Sequence, residues 1–411
     1  MKSRNGKLKT PLEGIRVLDL GRYQAGPRCA LMFARMGAEV IKVESVRGDE
    51  SRANGPRVRG QSAYWVQYNS GKKSLAINLR TEKGKEVLRD LVKISDIFLQ
   101  NFRPGTIDIM GFGYEKLKEL NPKIIMINVS AYGQYGPNRD KVGFDPIGQA
   151  MGGLMSLTGY GDLPPIKTYF PLIDRITALH ACIGALAALR EREISGEGQA
   201  LEVCLADTGF TTNEIPISAF LGGGVETTRP DTAIGGGGTP FGGMYETEDG
   251  HVILAAGNDN MWPRVCEALE HPEWLEDPLF ATRDDRTENV DVLEDGISEW
   301  LKQRSTKQAV EDLSAHSIPC APVNTTEQAA NEPQLHEREI MMEVPDPVAG
   351  TMWVSGKSIK FSRTPMVVGS APTVGQHTRE VLGGLLGYPE EKAQMLVDEE
   401  VVGVDDSHQS G

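Results

Sequence analysis

Residues 169–207 read YFPLIDRITALHACIGALAALREREISGEGQALEVCLAD. Within this stretch, residues 176–189 are apolar or small except for Thr177 and His180, and a charged block follows at once. A run of this kind predicts a nearly uncharged helix. After a charged turn, residues 201–205 have the pattern of a short strand. We expect the rest of the chain to be arranged around this helix and strand.

Asp174 lies at the N-terminal end of the predicted helix, just before the apolar run begins. Free N–H groups and the positive end of the helix dipole stabilise an ionised carboxylate at such a position. We therefore expect Asp174 to be charged at neutral pH and available as a covalent nucleophile. The same position is also typical of an Asp that caps a helix, so the local pattern leaves both roles open.

Length and charge limit the possible domain organisation and binding partners of the chain. With 411 residues, the chain is long enough for two domains. Its hydrophobic fraction of 39% and charged fraction of 24% are ordinary for a globular protein. The net charge of −14 argues against nucleic acid as a partner, because phosphate backbones require clustered Lys and Arg. A phosphorylated small ligand is compatible with this charge, since it needs only a local basic pocket.

The cysteines stand singly, without a CxxC pair or a His at metal spacing, at Cys29, Cys182, Cys204, Cys266 and Cys320. This pattern indicates a reducing compartment and predicts no bound metal. The first residues, MKSRNGKLKTP, contain no apolar segment of the kind found in secretory signals. The apolar run within residues 176–189 is too short for a membrane span. We expect a soluble, cytoplasmic protein.

Strand and helix patterns alternate in the first part of the chain. Strands are predicted at residues 15–20, 38–44, 96–100 and 124–129, and helices at 27–36, 81–92 and 145–154. This order predicts a doubly wound, Rossmann-like α/β fold with a mostly parallel sheet. No G-x-G-x-x-G follows the first strand, so a dinucleotide cofactor is not expected. Residues 350–358 look like a P-loop but have five residues between the glycines instead of four.

Glycine runs at residues 222–224 and 235–238 mark a change in composition and predict a domain junction. Beyond them, a hairpin pattern around Glu248-Asp249-Gly250 and several helix patterns predict a smaller α+β domain. The domain assignment is therefore residues 1–220 for the first part of a large α/β domain, 221–325 for the small domain, and 326–411 for the return to the large domain.

Several separate blocks resemble, in the same order, those of the family III CoA-transferases. They include Asp174 with its apolar helix, Ser195-Gly196-Glu197-Gly198-Gln199, SIPCAPV at residues 317–323 and QHT at 376–378. That family contains formyl-CoA, carnitine and bile-acid CoA-transferases and racemases of 2-methylacyl-CoA esters. The resemblance covers nearly the whole chain. It implies a coenzyme A thioester as substrate, no permanently bound cofactor, and an interlocked dimer of one chain or of two related chains.

The resemblance also implies which residues contact CoA: Gln24, Ala25, Ile77, Asn78, Leu79, Arg80, Asn101, Phe102, Arg103 and a loop of Gly235, Gly236, Gly237 and Gly238 that closes over the active site. The Gln24 amide would donate to the acyl oxygen as it gains negative charge. The two arginines would hold phosphates, and Phe102 would pack on the pantetheine or the adenine. Ser45 and Ile109 replace arginines of the family pattern, so Arg47 or Lys72 are alternatives for the phosphate contacts.

Three residues receive catalytic roles from the resemblance: Asp174, Gln24 and Asp145. Asp174 would be the nucleophile that carries CoA as an aspartyl thioester. Asp145 would lie near the active site, although its position before Pro146 is equally typical of a helix N-cap. Racemases of the family carry a His where this chain has Phe144, and a phenyl ring cannot transfer a proton.

The sequence therefore favours a CoA-transferase over a racemase of the same fold. A third hypothesis is a non-catalytic subunit that only binds acyl-CoA, and the presence of Asp174 argues against it. From its resemblance to particular members of the family, we expect succinyl-CoA as the donor. The acceptor would be an aromatic or dicarboxylic acid such as benzylsuccinate.

Overall fold

The computed structural model describes residues 9–229 and 241–405. Its strands are β1 (Arg16–Asp19), β2 (Glu39–Glu44), β3 (Arg57–Val58), β4 (Gln61–Ser62), β5 (Lys73–Ile77), β6 (Ile97–Gln100), β7 (Ile125–Ser130), β8 (Ala200–Cys204), β9 (Met244–Glu246), β10 (His251–Leu254), β11 (Cys320–Pro322), β12 (Met341–Asp346), β13 (Gly350–Ser355) and β14 (Val402–Gly403).

The α-helices are α1 (Ala25–Arg35), α2 (Ala63–Asn69), α3 (Glu82–Lys93), α4 (Thr106–Ile109), α5 (Tyr114–Leu120), α6 (Asp145–Met151), α7 (Leu172–Ser195), α8 (Leu205–Thr212), α9 (Glu214–Gly223), α10 (Trp262–Ala268), α11 (Arg283–Glu288), α12 (Val290–Lys302), α13 (Thr306–Ala315), α14 (Thr326–Ala330), α15 (Pro333–Glu337) and α16 (Glu390–Asp398). Short 3₁₀ turns span Glu50–Ala53, Met155–Leu157, Pro272–Leu275 and Pro278–Phe280, and a π-helical segment spans Glu380–Leu385.

The central sheet has the strand order β14-β5-β2-β1-β6-β7-β8. All neighbours are parallel except β14, which pairs antiparallel with β5. Outward from β1 the chain first builds β2 and β5 on one side and then β6, β7 and β8 on the other. This is the doubly wound order, and its switch point lies between β1 and β6, where ligands bind in such sheets. The predicted fold class is confirmed.

Both faces of the sheet are covered, and neighbouring residues of a strand belong to opposite layers. Val17 of β1 packs in the layer that contains α1 and α7, whereas Leu18 packs in the layer that contains α3 and α16. Sheets covered on both sides have nearly continuous apolar strands. This explains why the buried strands were recognisable in the sequence.

Helix α7 is the long helix predicted from residues 176–189. It packs on α1, β7 and β8 through the small side chains of Ala178, Ala181 and Ala185, which are fully buried. Gly196 ends the helix in the left-handed conformation. With 24 residues, α7 is long and apolar enough to cross a membrane by length and composition, so the expectation that it falls short was wrong. Its packing on the sheet makes it a core helix.

The described chain divides into two compact units, residues 9–154, 168–214 and 333–405 in one, and 155–167, 215–229 and 241–332 in the other. The first holds the seven-stranded sheet, and the second holds the sheet β11-β10-β9 with a core of its own. Residues 155–167, which the sequence placed in the large domain, group with the second unit. The P-loop-like segment forms β13, which pairs antiparallel with β12.

Candidate active site

Two cavities open near the carboxyl ends of the parallel strands. The smaller has a volume of about 420 Å³ and the larger about 1210 Å³. Arg22, Glu50 and Phe102 line both cavities, so the two spaces adjoin at these residues. Arg22 follows β1 and Phe102 follows β6, which places the junction at the switch point of the sheet.

The smaller cavity brings together most of the residues predicted to work at the thioester. Its walls include Gln24, Ala25, Asn101, Phe102, Arg103 and Asp174. They come from the loop after β1, the loop after β6 and the first turn of α7, which are distant in sequence. Convergence of these residues on one cavity makes it the candidate active site.

The larger cavity contains the second predicted group, Ile77, Asn78, Leu79 and Arg80. Ile77 is buried, and the Asn78 side chain accepts the N–H of Arg80 at 3.1 Å, so these residues shape the turn after β5. The Arg80 side chain is exposed at the cavity wall. The loop of Gly235, Gly236, Gly237 and Gly238 lies outside the described residues.

Asp174 is the third residue of α7 and not its N-cap, which is Pro171. Burial raises the pKa of Asp174 to about 7, and the neighbouring charge of Asp145 adds to the effect. The expectation that the helix dipole keeps this carboxylate fully ionised was wrong, because loss of hydration outweighs the dipole here. At neutral pH the group is divided between acid and carboxylate.

Asp145 is buried and is not part of either cavity wall. It does not cap its own helix, whose N-cap is Phe144. Instead, its Oδ1 accepts the backbone N–H of Asp174 at 3.0 Å, so it caps the first turn of α7 from another helix. Of the two readings left open by the sequence, a simple N-cap on α6 was wrong.

Gln149, which is fully buried, connects Asp145 to the segment before α7. Its Nε2 donates to Asp145 Oδ2 at 2.6 Å and to Thr168 Oγ1 at 3.0 Å, and its Oε1 accepts the Thr168 N–H at 2.9 Å. The Thr168 hydroxyl donates in turn to the Phe170 carbonyl at 2.8 Å. This buried network fixes the entry into α7, and sequence patterns gave no sign of it.

Gln24 is buried, and its Nε2 donates to the Pro171 carbonyl at 3.2 Å. The amide therefore links the start of α1 to the start of α7. One of its two N–H groups is occupied by this bond, and the other is the one that could serve the acyl oxygen expected from the resemblance.

The loop after β1 is held by buried charges and by Asn101. The Asn101 side chain accepts the Arg22 N–H at 2.7 Å and donates to the Arg22 carbonyl at 2.8 Å. Asp19 accepts the Gly21 N–H at 2.9 Å and pairs with Lys72 at 2.7 Å. Lys72 is fully buried and pairs with Asp19, so it cannot reach a bound CoA phosphate, and its proposed contact with these phosphates was wrong. Arg47 is exposed and lines the larger cavity, so it fits that role.

The sequence missed a polar cluster where the cavities adjoin. Glu50 accepts the Tyr23 hydroxyl at 2.8 Å and lies 3.6 Å from Arg22. The Arg22 guanidinium lies 5.3 Å from the centre of the Phe102 ring, and the Tyr23 ring contacts Phe144 edge-to-face at 5.8 Å. Tyr23 has a positive φ of 59°, a strained backbone that ends the loop before Gln24. No periodicity or motif signals such a cluster.

Comparison with known proteins identifies the family of the chain. The family model "CoA-transferase family III" matches residues 12–378. A succinyl-CoA–D-citramalate CoA-transferase of Chloroflexus aurantiacus is 36% identical over 95% of this chain and 98% of its own. The succinyl-CoA:glutarate CoA-transferase of Homo sapiens is 31% identical over 97% and 91%.

Solved structures resemble the fold of this chain. A CAIB/BAIF family protein from Brucella suis has a TM-score of 0.83 and 31% sequence identity, covering 92% of this chain and all of that chain. The match spans both compact units. The chain therefore belongs to CoA-transferase family III and is a CoA-transferase.

Proposed function

We propose that this chain transfers CoA from succinyl-CoA to a free dicarboxylic acid through an aspartyl-CoA thioester on Asp174. The observation that carries the proposal is Asp174 in the wall of a cavity at the switch point, beside a cavity large enough for a nucleotide. Relatives named for succinyl-CoA with citramalate, glutarate and mesaconate support the choice of donor and acceptor class.

CoA would lie across both cavities. The nucleotide would occupy the larger one, where the exposed side chains of Arg47 and Arg80 can hold phosphates. The pantetheine arm would pass Phe102 into the smaller cavity, with the thioester at Asp174. At one departure from the family pattern, the Ser45 hydroxyl accepts the Arg47 N–H at 3.3 Å and so supports the loop that carries this arginine. At the other, Ile109 is exposed and is not part of either cavity wall.

The reaction would run through alternating anhydride and thioester bonds. The Asp174 carboxylate attacks the donor carbonyl, the C–S bond breaks, and a mixed anhydride and CoA thiolate form. The thiolate attacks the Asp174 carbonyl, which releases succinate and gives the aspartyl-CoA thioester. The acceptor carboxylate then attacks this thioester and expels the thiolate again. The thiolate finally takes the acyl group of the acceptor and frees the Asp174 carboxylate.

Neighbouring groups support these steps. The bond from the Asp174 N–H to Asp145 fixes the first turn of α7, and burial raises the pKa of the nucleophile, which makes the ionised form more basic. The free N–H of Gln24 would donate to the oxygen that gains charge when the carbonyl is attacked.

The decisive experiment replaces the nucleophile. Asp174→Asn keeps the shape and removes the charge, and Asp174→Ala removes the group, so each should lower transfer by roughly 10⁴-fold or more while CoA still binds. Hydroxylamine added during turnover should convert Asp174 alone to a hydroxamate, detected by mass spectrometry of its peptide. Wild-type activity of Asp174→Ala would end the proposal, and a modified Asp145 peptide would move the nucleophile there.

A screen of free acids with succinyl-CoA would identify the acceptor. It should include glutarate, mesaconate, citramalate, benzylsuccinate and aromatic monocarboxylates. We expect dicarboxylates to react fastest, and activity only with formate or oxalate would contradict this choice.

We further propose an assembly of two chains in the cytoplasm, either identical or related. Exposed apolar side chains of the first unit support it, among them Ile183 at 63% and Ile194 at 75% exposure. Patches of this kind on a protein surface mark interaction sites.

A further inference from the structure

Two adjacent acids hold the loop that follows β1. The Tyr23 hydroxyl donates to Glu50 at 2.8 Å, and the Gly21 carbonyl accepts the ammonium group of Lys42. Lys42 pairs in turn with Asp49 at 2.7 Å, and both side chains of this pair are buried. The loop is therefore attached to the two acids at points only two residues apart.

These contacts connect the walls of the two cavities. The acids belong to residues 43–50, all of which line the larger cavity, and Arg47 is exposed in the same segment. The end of the loop belongs to the smaller cavity, where Tyr23 and Gln24 line the wall together with Asp174. A group bound against residues 43–50 would therefore touch the segment that holds this loop.

The backbone of Tyr23 is strained. Its φ of 59° lies in the left-handed region, which is unfavourable for a residue with a bulky side chain. Strain of this kind costs on the order of 1–3 kcal/mol and persists only where the surroundings hold it. Gln24 comes next in the chain, so a change in the Tyr23 backbone would displace the amide that could serve the acyl oxygen. The bond from Tyr23 to Glu50 is thus well placed to maintain the loop.

We propose that Tyr23 is a positioning residue: through its bond to Glu50, a nucleotide bound in the larger cavity keeps Gln24 beside the acyl oxygen in the smaller one. This inference rests on the proposed function. It gives a role in the chemical step to the part of CoA that does not react.

The physical basis is the use of binding energy from a remote part of the substrate at the reacting centre. A nucleotide that contacts residues 43–50 would restrain this segment, and the Tyr23–Glu50 bond would extend the restraint to the strained loop. A donor without the nucleotide should then lose kcat and not only affinity. Succinyl-pantetheine is such a donor, because it has the same thioester and lacks the nucleotide.

The test compares succinyl-CoA with succinyl-pantetheine as donors, with glutarate as the acceptor. The variants are Tyr23→Phe and Glu50→Leu in the full chain, and the readout is the ratio of kcat with succinyl-CoA to kcat with succinyl-pantetheine. In each variant this ratio should fall about threefold to tenfold. The double variant should show no further fall, because both changes break the same bond. KM for succinyl-CoA should not rise, since Arg47 and Arg80 remain.

Tyr388→Phe is the matched control. Tyr388 also donates its hydroxyl to an acid, Asp90, at 2.6 Å, and it is not part of either cavity wall. This variant should keep the wild-type ratio. The Tyr23–Glu50 bond is exposed to solvent, so its loss should change Tm little, and thermal unfolding separates a loss of folding from a change in the ratio.

The inference would be overturned by a wild type with equal kcat for both donors or by variants that lose kcat equally with both. Equal losses would mean that Tyr23 supports the loop whatever occupies the larger cavity. A double variant whose loss is the product of the two single losses would also contradict it. Hydroxamate formation on Asp174 is measured separately with each donor, so failure of the proposed function would be visible by itself.

Discussion

At the scale of single residues, the proposed mechanism depends on the ionisation of Asp174. A helix dipole stabilises a charge by about 0.3–1 kcal/mol at an exposed site. Raising the pKa from 3.8 to about 7 corresponds to roughly 4 kcal/mol in the opposite direction. The effects of burial and of the Asp145 charge therefore outweigh the effect of the helix dipole, and the site holds a carboxylate that is unusually basic.

This ionisation predicts the pH dependence of transfer. The proposed nucleophile, Asp174, would act as the carboxylate, so kcat/KM should rise tenfold per pH unit below about 7 and level off above it. The measurement is kcat/KM for succinyl-CoA between pH 5 and 9, at constant ionic strength. A flat profile down to pH 5 would show that Asp174 has an ordinary pKa.

The same group predicts a change in stability. Its pKa is higher in the folded than in the unfolded chain, so its favourable contribution is complete below about pH 4 and lost as the pH rises through about 7. Asp174→Asn is not subject to this loss. Its Tm, relative to wild type, should therefore increase between pH 4 and 8 and stay constant above. A constant difference across this range would contradict the raised pKa.

Phe144 predicts the absence of a side reaction. Its ring is 64% exposed in the wall of the smaller cavity and carries no ionisable group. We expect no deuterium exchange at the α-carbon of 2-methylacyl-CoA esters in D₂O, measured by mass spectrometry. Exchange at a rate comparable with CoA transfer would favour a racemase.

Single residues also show what could and could not be predicted from the sequence. Asp174 could be chosen as a candidate from the sequence because a motif surrounds it. The hydrogen bond from the Asp174 N–H to Asp145 could not be predicted from the sequence, because it forms only when α6 and α7 pack together. Lys72 was misassigned for the same reason, since its partner Asp19 is 53 residues away.

At the scale of elements, the placement of α7 depends on α6. Asp145 and Gln149, one turn apart on α6, reach the first turn of α7 and the segment before it. Helices joined only by apolar contacts could slide relative to each other. These directional bonds fix the position of Asp174 instead.

The link predicts the effect of Gln149→Met. The change removes the Gln149 hydrogen bonds to Asp145 Oδ2 and from the Thr168 N–H, which should destabilise the fold by about 1–3 kcal/mol. It should also lower kcat about tenfold or more with little change in KM for succinyl-CoA, because the nucleophile is displaced while the CoA contacts remain.

Gln199→Met is the matched control. Gln199 is exposed, and within the described part of the chain its side chain bonds only Glu191, at 3.3 Å, so this variant should keep wild-type Tm and kcat. A Gln149→Met enzyme with lower Tm but unchanged kcat would show that the network serves stability alone.

The elements that the sequence predicted are those with strong local patterns. β1, β2, β6 and β7 are apolar strands between helices, and their assignment was right within a few residues. β5 was not assigned, because KSLAI begins with polar residues and its burial depends on β2. β14 has two residues and exists only through its pairing with β5.

At the scale of the whole molecule, α7 has one face in the core and a second, apolar face on the surface of the chain. One face packs on the sheet, while Leu179, Ile183 and Ile194 are exposed on the other. A helix that is apolar on both faces is normally buried on both. Apolar side chains on both faces make α7 resemble a membrane span, and sequence alone does not show what covers its outer face.

In the expected dimer, a second chain would cover the exposed apolar face of α7, and a substitution on this face tests the expectation. Ile183→Glu places a charge where an apolar contact would be lost, so the variant should sediment as a monomer at concentrations where wild type is a dimer. Arg190→Gln on the same helix should leave the mass unchanged. Because α7 also carries Asp174, transfer should fall together with the dimer and recover at higher protein concentration. A wild-type chain that sediments as a monomer while fully active would contradict the assembly and leave the apolar face of α7 without an explanation.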